Sequence, residues 1–295
     1  GLVAQTGEAM RMGAGGSVSM GTETNGFESW SWISVPLKIR GKVFGVLNVT
    51  DKIGRAAFRA SDLHRVQALA ENAALKMENC ALYESIYYNL LDTLKALVTT
   101  IDAKDQYTRN HSQRVTEYAQ HIAVEMGLSK QDQDTLGIAG FLHDIGKIGI
   151  PDVILLKPRR LTSEEFEVVK THPVVGEEIV RHIDLLPEEK AIIRNHHERM
   201  DGQGYPDGLK GAEIPLLARI VMAADAFDAM TSSRVYRAAK SFEESIEELN
   251  LFSGKQFDPD VVEAFKQVLH KNPVLVQGGV PLMGGMGPSG GTALA

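Results

Sequence analysis

Five histidines and two aspartates stand where they could hold metal ions. His143-Asp144 is an adjacent pair closing the apolar stretch Ile138 to Leu142, and His196-His197 is a second adjacent pair. His111 and His172 each begin or end a helical pattern. Asp225 follows the apolar run Ile220-Val221-Met222-Ala223-Ala224, where a carboxylate is costly to bury unless something pairs with it. Taken singly, these residues have ordinary explanations: a helix cap for His111, a hydrogen-bonded buried acid for Asp225. As a set, they supply nitrogen and oxygen ligands of intermediate softness, which suit Fe, Mn, Zn or Ni rather than Ca or Mg alone. One carboxylate between histidine groups can bridge two ions. His64, His121, His182 and His270 have no such context.

These side chains need elements to position them. Residues 1–29 are rich in Gly, Ser, Thr and Met and show no periodicity. Two β-branched apolar runs, Trp32 to Leu37 and Val43 to Val49, flank a turn glycine at Gly41 and predict a β-hairpin. From Ser61, a candidate cap, the period becomes helical, and no proline or glycine interrupts it through Ile101. A long connecting helix is the simplest account. Its stripe of Leu82, Ile86, Leu90, Leu94, Leu97 and Ile101 must be covered, either by a parallel dimer partner or by the chain's own domains. Residues 100–270 read as almost wholly helical: Arg114 to Met126 closed by Gly127, a capping box at Thr162 to Glu165, then Ala212 to Met230 and Phe242 to Leu251. After Pro273 the chain is Gly-rich with little to bury and reads as a disordered tail. There is no internal repeat.

A chain of 295 residues suits two domains. A net charge of -7 argues against a surface that grips DNA or an anionic membrane. The single cysteine, Cys80, excludes an internal disulfide and fits a reducing, cytoplasmic compartment. No apolar run has the length of a membrane span, and the first residues lack the order of a signal peptide. The start on Gly1 reads as a fragment, which leaves an upstream anchor open.

His143-Asp144-Ile145-Gly146-Lys147 resembles the signature of the HD phosphohydrolase superfamily. His196-His197-Glu198-Arg199-Met200-Asp201-Gly202-Gln203-Gly204-Tyr205-Pro206-Asp207-Gly208 resembles the extended signature of its HD-GYP branch. The intervening order also fits: Ile148 to Pro151, Lys170 to Pro173, Ile214 to Asp225, Asp228 to Ser232 and Gln256 to Pro259. The resemblance implies a mainly α fold: an all-helical HD-type domain at 102–272 and a connecting helix at 80–101. It implies His111, His143, Asp144 and Asp225 as ligands of one metal, with Asp144 bridging, and His172, His196 and His197 as ligands of a second. Lys147, Asp228, Arg234, Arg237 and Tyr205 correspond to substrate-contacting positions, with Lys147 and Asp144 central to catalysis. Members with three irons have a glutamate where this chain has Tyr107, which implies two divalent ions per chain, Fe or Mn first, then Zn, Ni or Mg. Ser34 to Val49, Phe58 and the helix ending Met77-Glu78-Asn79 resemble the C-terminal half of a GAF sensory domain, implying a partial α+β region at 1–79 and leaving 273–295 as the tail.

The implied activity is hydrolysis of cyclic di-GMP to linear pGpG, and onward to GMP as an open step, in a homodimer that answers to signalling partners. A cyclic GMP-AMP substrate is not distinguished by these residues. Two rivals remain in view. One is an inactive HD-GYP module that senses the nucleotide or docks a partner, against which stands the complete ligand set. The other is an HD phosphohydrolase of simple nucleotides, against which stands the Gly-Tyr-Pro segment.

Overall fold

The computed structural model describes residues 1–12, 31–54, 56–104, 110–183, 185, 187–232 and 239–272. The Gly-rich stretch beyond Met12, Tyr107, Arg234, Arg237 and the tail 273–295 lie outside the described residues. The chain divides into two units, Gly1–Leu90 and Leu91–Ala295. The fold is mainly α, as expected. No helix among the described residues is long and apolar enough to cross a membrane.

The first unit opens with α1 (Leu2–Thr6) and β1 (Met10–Met12), followed by β2 (Trp32–Ile39) and β3 (Lys42–Thr50). The hairpin appears where the two apolar runs placed it, with Ile33 opposite Val49 and Val35 opposite Leu47. Its turn residues Arg40 and Gly41 both have positive φ, 47° and 79°, as a two-residue turn matched to the strand twist requires. β1 adds an antiparallel third strand, order β1-β2-β3, from a region read as patternless. Three residues are too few for alternation to register. Ile33, Val35, Phe58 and Ala70 form the core of this unit.

Helix α2 (Ala60–Lys104) follows without a break. Asp62, rather than the expected Ser61, serves its N-terminus by accepting the Arg59 N–H at 2.7 Å and a lysine ammonium from Lys52 at 2.5 Å. Of the apolar stripe, Leu94 and Ile101 are buried, whereas Leu82, Ile86, Leu90 and Leu97 remain exposed.

The second unit contains α3 (His111–Glu125), α4 (Lys130–Leu142), a 3-10 turn Ile145–Gly149, α5 (Asp152–Leu155), α6 (Ser163–Val169), α7 (His172–Arg181), α8 (Pro187–Asn195), α9 (Leu216–Thr231), α10 (Phe242–Leu251) and α11 (Pro259–Lys271). Helix ends follow their capping chemistry. Thr162 and Glu165 form the expected capping box, and Ser129 with Asp132 and Ser241 with Glu244 form two more. Gly127 ends the α3 region at φ 69°. Two expected starts move: α3 begins at His111 rather than Arg114, and α9 begins at Leu216 rather than Ala212. Pro215 caps α9, and a separate 3-10 turn, Gly211–Glu213, takes up the residues before it. Phe227 on α9 is fully buried, edge-on to Tyr118 of α3 at 5.4 Å and to Phe265 of α11 at 5.0 Å. That cluster pins α9 against α3, so both can present side chains to one site.

Gly146 lets the 3-10 turn after the His-Asp pair touch α7. A Cβ there would lie 1.9 Å from the His172 carbonyl oxygen and 2.5 Å from the Gly176 nitrogen, both backbone atoms. Gly146→Ala must therefore push two backbones apart. The expected outcome is a loss of about 3 kcal/mol, at the upper end for an overpacked core, with a lowered Tm. Thermal melting within a degree of the parent protein would refute the contact.

Candidate metal centre

Three histidines follow the C-terminal ends of helices, and each captures a carbonyl its helix leaves without a partner. His143 Nδ1 donates to Gly140 O (2.6 Å), His172 Nδ1 to Val169 O (2.8 Å) and His196 Nδ1 to Ile193 O (2.9 Å). Carbonyls in the last turn of a helix have no intrahelical donor. A carbonyl can only accept, so in each ring the proton sits on Nδ1 and the Nε2 lone pair faces inward. This is the arrangement that metal-binding imidazoles adopt.

The lone pairs converge on Asp144. Its Oδ2 lies 3.4 Å from His143 Nε2 and 3.6 Å from His111 Nε2, while its Oδ1 lies 3.2 Å from His172 Nε2 and 4.0 Å from His196 Nε2. The two oxygens of one carboxylate thus face different histidine groups. His111, His143 and Asp144 form one set of ligand atoms within 4.8 Å of each other, and Asp144, His172, His196 and His197 form another. Asp225 adjoins the first set, with Oδ1 3.3 Å from His111 Nε2.

His111 is held differently from the other rings. Asp225 and Asp228 stand one turn apart on α9, and Asp228 accepts from His111 Nδ1 at 2.7 Å. Asp228 in turn takes two hydrogen bonds from Arg114, at 2.5 Å from Nε and 2.9 Å from Nη2. Asp228 was expected to contact substrate. In this structure it is buried behind His111, with its oxygens bonded to the ring and the guanidinium. The His111 and Arg114 bonds outweigh burial and keep this carboxyl below its ordinary pKa.

The arrangement is incomplete as pure protein chemistry. Among the described residues, His143 Nε2 is buried with no hydrogen-bond partner. The Nε2 atoms of His172 and His196, both lone-pair bearing, face each other at 3.3 Å. Burial pushes the His196 ring well below the usual histidine range and His197 down to about 3, and neighbouring imidazoles add to the effect. Burial disfavours charge on Asp144 too, but the Lys147 ammonium beside it holds the carboxyl well below its ordinary range. Neutral imidazoles aimed at one carboxylate and at each other repel unless cations lie between them. The residues therefore fit metal ions, and the His/Asp cluster is able to bind them.

Lys147 donates to Asp144 from one turn along and is partly exposed. Tyr205 lies beside the second group, its ring 4.8 Å from that of His197 and tilted 30°. Sequence reasoning gave no role to Glu198. It is buried, and its two oxygens accept the backbone N–H groups of Asp207 (2.7 Å), Gly208 (3.1 Å) and Leu209 (3.0 Å). Arg194 grips Asp207 through two 2.7 Å bonds. Gly204 passes so close to Glu198 and Arg199 that a Cβ would lie within 2.5 Å of their backbones. Together these contacts fold the Gly-Tyr-Pro loop back onto His197. A glutamate directly after a histidine pair, in a stretch otherwise read for its loop, was the available signal.

A model described as an HD domain matches residues 95–261, and one described as a GAF domain matches residues 1–77. The chain is 45% identical over 185 residues to a cyclic di-GMP phosphodiesterase of Thermotoga maritima, covering 62% of this chain and 50% of that one. It is 41% identical over 175 residues to a cyclic di-GMP phosphodiesterase response regulator of Xanthomonas campestris, covering 59% and 46%. It is 36% identical over 194 residues to a 3'3'-cGAMP-specific phosphodiesterase of Vibrio cholerae, covering 65% and 37%. The chain therefore spans half or less of the length of these curated relatives. Its fold resembles the crystal structure of a cyclic GMP-AMP specific phosphodiesterase of V. cholerae, with a TM-score of 0.50, 24% identity and coverage of 64% of this chain and 50% of that one.

Asp228→Asn removes the charge that steadies His111 but keeps the side chain's size. Loss of such a supporting carboxylate costs about 10–100-fold in metal affinity. Chelator competition should show one weakened equivalent while the set around His172, His196 and His197 keeps its ion. Equal weakening of both equivalents, or none, would contradict the assignment.

Proposed function

The chain belongs to the HD domain family, and from that premise we propose that it is a metal-dependent phosphodiesterase that hydrolyses a cyclic dinucleotide, cyclic di-GMP first, to linear pGpG. The observation behind this reading is the pair of histidine sets sharing Asp144, each with lone pairs directed at it. Relatives named as phosphodiesterases of cyclic di-GMP and of 3'3'-cGAMP support the substrate class. The complete ligand set speaks against a nucleotide sensor or docking module without activity.

In this reading His111, His143, Asp144 and Asp225 hold one divalent ion, and Asp144, His172, His196 and His197 hold a second. Fe or Mn come first, with Zn, Ni and Mg compatible with the donors. Two such ions neutralise phosphate oxygens and lower the pKa of water from about 15.7 to roughly 7. The chain's own groups do the rest. Asp144 keeps both sets at a fixed separation. Lys147, released from Asp144, offers its ammonium to a non-bridging phosphate oxygen. Arg234 and Arg237 are assigned to the same phosphate, bidentately where geometry allows. The loop fixed by Glu198 sets Tyr205 beside His197 at the substrate's edge.

The domain plan keeps a GAF-like sensory region at 1–79, a connecting helix at 80–101, the phosphodiesterase domain at 102–272 and the tail at 273–295. The exposed Leu82, Ile86 and Leu90 of α2 suit a homodimer seam. A cytoplasmic location goes with this reading, since the exposed thiol of Cys80 suits a reducing compartment.

The test is metal analysis combined with assay of anaerobically purified, iron- or manganese-loaded protein on a cyclic dinucleotide panel. The parent protein should bind two equivalents and yield pGpG from cyclic di-GMP. Asp144→Ala should lose turnover and both equivalents, and His172→Ala mainly one. Two full equivalents in Asp144→Ala would end the bridging role, and wild-type turnover in His172→Ala would end the two-ion mechanism.

A further inference from the structure

An array of rings leads away from the second histidine set. His196 and His197 stand 4.1 Å apart, Tyr205 follows at 4.8 Å from His197, and Phe166 of α6 stands edge-on to Tyr205 at 6.3 Å and 84°. Phe166 is 45% exposed. A single exposed apolar side chain is unremarked on any protein surface. This one has company: the Lys170 ammonium lies 5.5 Å from the Phe166 ring centre and 5.9 Å from that of Tyr205. Lys170 also pairs with the exposed Glu167 at 2.6 Å.

The local structure holds this group in place. α6 has its capping box at Thr162 and Glu165, and Lys157 bonds Glu165 at 2.5 Å. Lys170 and Thr171 then lead directly to His172, so the segment that presents Phe166 is anchored by a metal-directed imidazole three residues past its last turn. On the other side, Glu198 and Arg194 fix the loop that carries Tyr205. Two independent anchors bring an aromatic pair and a cation together at the rim of a site built for phosphate.

We propose that Phe166, Lys170 and Tyr205 form a subsite that stacks the nucleobase of the bound nucleotide, beside the phosphate held at the second histidine set. The inference rests on the phosphodiesterase reading above and names how that site holds its substrate. Aromatic faces bind any base, because every base has a π face, and a cation over the rings adds attraction. From His197 the two ring steps lead outward, as a sugar and base lead outward from their phosphate. The subsite therefore recognises a nucleotide over a simple phosphodiester. Stacking is made equally in the ground state and the transition state, so it acts on KM and leaves kcat alone.

The experiment compares the parent protein with Phe166→Ala and Phe166→Tyr, metal-loaded, on cyclic di-GMP, with inorganic phosphate as a base-free competitor. Phe166→Ala should raise KM about tenfold, the loss expected for one base–aromatic stack, with kcat, metal content and the phosphate inhibition constant unchanged. Phe166→Tyr should restore KM to within about twofold. An unchanged KM in Phe166→Ala, in a parent protein that is active, removes the subsite and leaves the phosphodiesterase reading standing. A parallel rise in the phosphate inhibition constant also overturns it, because the substitution would then act through the metal centre. A parent protein that neither binds nor hydrolyses any cyclic dinucleotide brings down the functional reading, and the subsite with it.

Discussion

The site depends on one repeated hydrogen bond, from a histidine Nδ1 to the carbonyl three residues before it. The bond occurs at His143, His172 and His196, each time at the end of a helix. It satisfies a carbonyl that the helix cannot, and it settles where the ring proton resides. Three helix ends thereby become three inward-facing lone pairs. The rest of the second unit serves to aim those ends at Asp144, and its core accomplishes this by packing α9 and α11 around Tyr118 and Phe227.

His111 shows the alternative solution. It starts a helix, and its Nδ1 is met by a carboxylate from α9. Asp225 and Asp228, one turn apart, address opposite nitrogens of the same ring. An apolar helix thus contributes a ligand and the support for a neighbouring ligand from a single face. Arg114 balances the charge of the buried Asp228, which makes two carboxylates tolerable so close together.

Much of this was legible in the sequence because adjacent pairs such as His143-Asp144 and His196-His197 have few structural uses. The hairpin, the long helix and the capping boxes also declared themselves by period and cap chemistry. The contacts of Asp228 with His111 and Arg114 were not legible, because resemblance gives position along the chain, whereas contacts depend on which way the α9 face turns at that residue. Glu198 went unread for a related reason: its partners are backbone amides, which have no signature in side-chain identity. The start of α9 moved because Pro215 disfavours helical backbone at the residue before it, and Ile214 is accordingly extended, at φ −76° and ψ 125°.

Gly146 has a consequence for the spacing of the segments that carry the two histidine sets. Where two backbones touch without intervening side chains, their separation cannot be adjusted by a rotamer change or by drift in the size of a neighbouring residue. The turn after Asp144 and the start of α7 at His172 meet in that way. The gauge between the two histidine sets is therefore machined into the main chain. Surface substitutions elsewhere on α4 and α7 do not reach that calibration, because the contact that sets it contains no side chain.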